Sequence, residues 1–166
     1  MGRIASVKYY DTVNGKGVST SVFLQGCDLH CKGCHNQAIW DFNSGDELTD
    51  ELLNKIVDSF KISDFTINLN ILGGEPLHKK NLHTTRTIIE NVIKNSPKTK
   101  VFVWTGYLVE DLLKRTDEDL KFILKNINFL IDGPYQEQLR DITLPLRGSS
   151  NQRIFRREER LWTLID

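Results

Sequence analysis

The 166 residues are the length of one domain, residues 1–166, and can bury a core without a disulfide or metal staple. The 22 Lys plus Arg balance 22 Asp plus Glu, which removes the electrostatic case for direct nucleic-acid binding or an anionic membrane. No apolar run approaches the ~20 residues of a membrane span, and the N-terminal MGRIASVKYY lacks the apolar core of a secretory signal.

In chain order, GVSTSVFLQG (17–26) is β-branched, apolar and closed by Gly, and reads as a strand. GCDLHCKGCHN (26–36) follows and holds all three cysteines, Cys27, Cys31 and Cys34. TDELLNKIVDSF (49–60) sets Leu52, Leu53, Ile56, Val57 and Phe60 on one helical face, with acids in the first turn. FTINLNILGG (65–74) is a second strand, and NLHTTRTIIENVIKNSP (81–97) a helix stopped by Pro97. KVFVWTG (100–106) is a third strand, 107–126 two short helical pieces, and INFLIDGP (127–134) a fourth strand. RIFRREER (153–160) reads as a solvated charged face, interrupted by Glu158 and Glu159.

Strands alternating with helices imply an α/β fold. A chain this short falls below the about 250 residues of a full eight-fold barrel, so the expectation is a partial (β/α) barrel of mostly parallel strands. Functional loops then lie past the carboxyl ends of the strands. The cysteine loop, GGEP (73–76), WTGY (104–107) and DGPY (132–135) all occupy that position. For WTGY and DGPY taken alone, a glycine that only turns the chain is the plainer reading.

An odd number of tightly spaced cysteines does not suit a secreted disulfide scaffold, and points to thiolates in a reducing cytoplasm. Two metal readings stand side by side. Structural zinc would take the three thiolates with His30 or His35 as fourth ligand. A 4Fe–4S cluster normally takes four thiolates, so three would leave one iron open to a small molecule. His30 otherwise reads as a solvent-facing loop residue, and His78 and His83 as surface or helix-packing residues.

The C-x3-C-x2-C run after the first strand, with G-G-E-P after the second, resembles the radical S-adenosylmethionine superfamily. VFLQGCDLHCKGCHN, ILGGEPL, WTGY, LIDGPY and LRDITLPLRGSSNQRI, spanning residues 22–154, further resemble the activating components of anaerobic (class III) ribonucleotide reductases. The resemblance implies that Cys27, Cys31 and Cys34 hold a 4Fe–4S cluster whose fourth iron is chelated by S-adenosyl-L-methionine. Gly73, Gly74 and Glu75 would receive the methionine ammonium, and Gly33, Cys34 and His35 would contact the cofactor, through their backbone.

It also implies one-electron reduction by a flavodoxin-type donor and cleavage to a 5′-deoxyadenosyl radical. That radical would take a hydrogen atom from a backbone glycine of the large catalytic subunit of the reductase, leaving a glycyl radical. No general acid or base is named for this chemistry. Many superfamily members carry an aromatic residue where this chain has Gly33. LPLRGSSNQRI (144–154) is either a tight self-capped turn or a cofactor or partner contact. Alternatives are activation of another glycyl-radical enzyme, of formate-lyase type, and a non-catalytic zinc adaptor.

Overall fold

Residues 1–62 and 64–166 are described in the computed structural model. Among them the chain runs β1 (Arg3–Asp11), β2 (Ser19–Leu24), β3 (Asp46–Glu47), α1 (Asp50–Ser59), β4 (Asn68–Gly73) and α2 (Leu82–Asn95). There follow β5 (Val101–Trp104), α3 (Val109–Leu112), α4 (Glu118–Asn126), β6 (Phe129–Asp132), β7 (Arg153–Glu158) and β8 (Leu161–Leu164). All eight strands join one mixed sheet in the order β3-β1-β2-β4-β5-β6-β7-β8.

The four strands read from the sequence are β2, β4, β5 and β6. They form the centre of the sheet and pair in parallel. The expectation of a mostly parallel sheet fails at both edges, where β1, β3, β7 and β8 pair antiparallel. The added strands are charged, half-exposed edge strands, which lack the apolar run that marks a central parallel strand. RIFRREER shows the difference. Ile154 and Phe155 are buried and seat β7 on β6, while Arg156 and Glu158 face solvent and pair with each other.

Alternation along the strands divides the two faces of the sheet. Leu69 and Ile71 of β4, Val101 and Val103 of β5 and Leu130 of β6 pack with Ile56 of α1, Ile88 and Ile89 of α2 and Ile123 of α4 in the main core. The helices therefore cover a single face. Thr49 caps α1 by accepting the Leu52 N–H (3.2 Å), with Asp50 and Glu51 beside it in the first turn. On the other face Phe102, Ile131 and Ile154 form a small second cluster with Trp104 and Leu146. That face is left free of helices, and the carboxyl ends of the parallel strands open onto it. No helix among the described residues is long and apolar enough to cross a membrane.

Candidate active site

The four Gly-bearing loops converge as the strand order requires. They wall a cavity of about 440 Å³ whose lining includes Cys27, Cys31, Cys34, His35, Gly73, Gly74 and Glu75. That size suits a small-molecule ligand. Gly33, also expected at the cofactor, lies outside the lining, with φ +74° and the Glu137 side chain over it. A Cβ there would lie 2.7 Å from Glu137 Oε1, a half-exposed side-chain end that can swing aside, so it is the positive φ that favours glycine where many superfamily members carry an aromatic residue.

The cysteine loop is shaped by backbone bonds to its own far end. Gly26 N–H donates to Ile39 O (2.7 Å) and Cys27 N–H to Trp40 O (3.0 Å). His30 is an exposed loop residue, as expected, and its ring stacks on Trp40 with centroids 4.4 Å apart. The three thiols are free and half-buried. Burial pushes the Cys27 thiol up to about 11, with the Glu75 carboxylate adding to the effect. Burial also raises Cys31, reinforced by neighbouring Cys34.

Each sulfur accepts a backbone N–H: Leu29 and His30 serve Cys27, Tyr135 serves Cys31, and Asn36 serves Cys34 at 3.4 Å. Clustered half-buried thiols, two of them raised by burial and all met by hydrogen-bond donors, fit a cationic iron–sulfur group, whose irons would supply the missing charge and whose potential the N–H···S bonds would tune.

The GGEP loop is zipped to the cysteine loop. Gly74 N–H donates to Leu24 O and Glu75 N–H to Gly26 O, both at 2.8 Å. These bonds extend the parallel β2–β4 ladder past the strand ends. A Cβ on Gly74 would stand 2.2 Å from Gly26 O, so glycine is required for the approach. Asn81, at the start of α2, ties the same corner with its Nδ2, which donates to Glu75 O (2.9 Å) and Gln25 O (3.1 Å).

Glu75 is 1 % exposed and is held by three donors. Oε1 accepts from Leu77 N–H (2.9 Å) and from the Thr105 hydroxyl (2.7 Å), and Oε2 from Gly106 N–H (2.7 Å). Burial nonetheless raises its pKa to about 7, against the pull of those donors. WTGY therefore does more than turn the chain. It supplies two of the three donors to Glu75, and its Gly106 lets Leu29 of the cysteine loop pack close, since a Cβ there would meet Leu29 Cδ1 at 2.2 Å.

DGPY is anchored through Asp132, which accepts from Val109 N–H (2.7 Å) and Arg153 Nε (2.9 Å). It then delivers the Tyr135 N–H to Cys31. LPLRGSSNQRI forms a turn, but Gln152 caps it, and the Ser and Asn side chains of the self-capping reading do not. Gln152 Oε1 accepts from Gly148 N–H (2.9 Å) and Ser149 N–H (3.2 Å), and its Nε2 donates to Gly133 O (3.1 Å). The same segment also forms a cavity wall through Leu144, Leu146, Arg147 and Gly148.

Asn81, Thr105 and the loop 12–18 were not singled out in the sequence. Thr105 lay inside a quoted motif, and its pairing with Glu75 across 30 residues leaves no local signal. Val13, Asn14 and Gly15 reach the cavity because Asn70 Nδ2, in the middle of β4, donates to Asn14 O (2.7 Å). Two histidines find carboxylates: His78 Nε2 lies 3.4 Å from Asp28 and His83 Nδ1 3.5 Å from Asp119.

Residues 13–155 match the family described as a 4Fe-4S single cluster domain. The chain is 35% identical over 152 residues to the anaerobic ribonucleoside-triphosphate reductase-activating protein of Vibrio cholerae serotype O1, covering 90% of this chain and 96% of that one. It is 33% identical over 150 residues to the protein of that name from Escherichia coli strain K12, covering 87% and 94%. With the one from Enterobacteria phage T4 it shares 30% over 152 residues, 92% of each chain. A 4Fe–4S domain is therefore present, which decides against the zinc adaptor.

Proposed function

Because the chain belongs to the family of anaerobic ribonucleoside-triphosphate reductase-activating proteins, we propose that it activates the anaerobic ribonucleotide reductase as a radical S-adenosylmethionine enzyme. Cys27, Cys31 and Cys34 would hold the cluster, with S-adenosylmethionine in the adjoining cavity. When bound, these groups supply one chemistry: a single electron cleaves the sulfonium to methionine and a 5′-deoxyadenosyl radical, which takes hydrogen from a backbone glycine of the reductase. The electron comes from a flavodoxin-type protein in the cytoplasm, and residues 1–166 act as one domain. The sheet is taken as an open, partial barrel. In its support, α1, α2 and α4 pack on one face and leave the other to the cavity.

The observation that carries this reading is the juxtaposition of three free thiols with a buried carboxylate across a backbone zip. The thiols anchor the cluster. Glu75, the one carboxylate in the described lining, marks the place for the methionine ammonium, which favours an acceptor already held in position. Gly73 and Gly74 keep that approach open, while His35 and the backbone of Gly33 and Cys34 border the cluster. The apolar walls from Leu72, Trp104 and Leu146 exclude water from a radical.

The test is an anaerobic assay of the reconstituted protein with its large reductase subunit, read by electron spin resonance. A glycyl radical is expected only with S-adenosylmethionine and reductant present. Cys31→Ala should lose iron and cofactor cleavage together; cleavage at the normal rate by Cys31→Ala overturns the cluster assignment.

A further inference from the structure

Beside the cavity lies a knot of charge that the activation reading leaves unused. Arg153 opens β7 and stands between two carboxylates. Its Nε donates to Asp132 Oδ1 (2.9 Å) and its Nη2 to Asp132 Oδ2. Nη1 and Nη2 also donate to Glu110 Oε1 and Oε2, both at 2.8 Å. A guanidinium can fork onto both carboxylates at once, and an ammonium cannot.

The two carboxylates are unlike. Glu110 is half-exposed. Asp132 is fully buried, and with Glu75 it is the least exposed carboxylate among the described residues. A buried ion pair adds little net stability over apolar packing, and its better-attested use is to select one arrangement. Ile154 and Phe155 already seat β7 on β6, so the distinctive effect of the pair falls on what Asp132 touches.

Asp132 stands where the two halves of the site meet. Its Oδ2 accepts Val109 N–H (2.7 Å). The next residue, Gly133, donates its N–H to Tyr107 O (3.0 Å), and Thr105 N–H donates to Ile131 O (2.9 Å). These bonds bracket Gly106, whose N–H is a donor to Glu75. Three residues past Asp132, the Tyr135 N–H serves Cys31. The strap that follows, residues 133–152, is tied back to the same place. Asn151 Nδ2 donates to Pro134 O (2.7 Å), and Gln136 N–H to Ser149 Oγ (3.1 Å). One buried carboxylate therefore lies between a donor to a cysteine sulfur and a donor to the buried glutamate.

We propose that Arg153 is a positioning residue for both halves of the site: by fixing Asp132 it sets the Tyr135 N–H on Cys31 and the Gly106 N–H on Glu75. The inference rests on the cluster and cofactor reading above. An N–H directed at a ligand sulfur stabilises the more negative, reduced cluster, so weakening it makes the cluster harder to reduce. Partners that stand behind a ligand in this way typically matter by about 10–100-fold in affinity or activity.

The test is Arg153→Lys in the reconstituted full chain, which keeps the charge and loses the fork. At a fixed solution potential its ratio of reduced to oxidised cluster, read by electron spin resonance, should fall about threefold or more, the worth of one weakened hydrogen bond. S-adenosylmethionine affinity should fall about tenfold or more. In the iron-free chain, hydrogen exchange of the Gly133 and Tyr135 amides should quicken by about tenfold or more. Asp132→Asn, which keeps the shape of the side chain, should shift all three the same way. Arg86→Lys, which weakens the pair with Asp119 between α2 and α4 (2.9 Å), should shift none of them.

A ratio or an affinity left unchanged in both Arg153→Lys and Asp132→Asn overturns the positioning role alone. So does a shifted ratio with Tyr135 exchange unchanged, because the effect would then take another route. An equal shift in Arg86→Lys overturns it as well, by marking a general loosening of the fold. A cluster that persists in Cys31→Ala overturns the cluster reading instead, whatever the Arg153 variants do.

Discussion

The two sides of the site are built on opposite plans. The Glu75 corner is dry and bonded: its carboxylate has three donors, and its backbone is tied to Gly26 and Asn81. The cysteine loop is half-exposed, and burial raises the Cys27 and Cys31 thiols above their ordinary value. The corner is finished before any ligand arrives, whereas the cysteine loop leaves its three thiols free and half-buried. A ligand that must be held in one orientation benefits from the first plan. A cluster that must be assembled in place needs the second.

The largest expected effect separates the two sides by stability. Gly74→Ala must move the Gly26 carbonyl, which a Cβ would approach to 2.2 Å, and should cost about 3 kcal/mol. For a chain of this length that lowers Tm by about 6–12 °C. Cys31→Ala in the iron-free protein should lower Tm by much less, because the thiol is half-exposed and the donors it meets are backbone N–H groups. Equal losses in the two variants, measured by calorimetry, would break the contrast.

The next effect is in pH. Glu75 has a folded pKa near 7, above its ordinary value of 4.5. Between those values the folded state holds a proton that the unfolded chain has released. Its contribution to stability is therefore full below about pH 4.5 and is lost as pH rises through 7. The loss is on the order of 3 kcal/mol at 1.36 kcal/mol per pH unit. Urea unfolding of the iron-free protein from pH 5 to 8 should show the decline, and Glu75→Gln should flatten it.

Thr105→Val keeps the shape of the side chain and removes one donor from Glu75. A hydrogen bond to a charged group is worth about 1.5–3 kcal/mol, so S-adenosylmethionine affinity should fall by about tenfold or more. Thr105→Ser should restore it. A Ser variant as weak as Val would reduce Thr105 to packing. The smallest effect belongs to the exposed Lys32–Glu137 pair at 3.7 Å. Glu137→Ala should change stability by less than about 0.5 kcal/mol, and a larger change would mean that the strap braces the cysteine loop.

Legibility followed the range of the interactions. β2, β4, β5 and β6 were readable because each is largely buried and carries β-branched or apolar residues closed by a Gly-bearing turn. β7 was not, because Ile154 and Phe155 are set among five charged residues in RIFRREE. The same holds in the site. The cysteines and GGE are local patterns whose spacing carries the chemistry. Thr105 and Asn81 act through partners 30 and 56 residues away, Glu75 and Gln25. Gly33 was visible as a departure, but the positive φ that accounts for it is not legible in the residues around it.

The two backbone bonds that carry the β2–β4 ladder beyond its strands, Gly74 to Leu24 and Glu75 to Gly26, involve no side chain and no metal. The order of this corner is therefore written in the backbone alone, and the joint between the GGEP and cysteine loops does not depend on what the cavity holds.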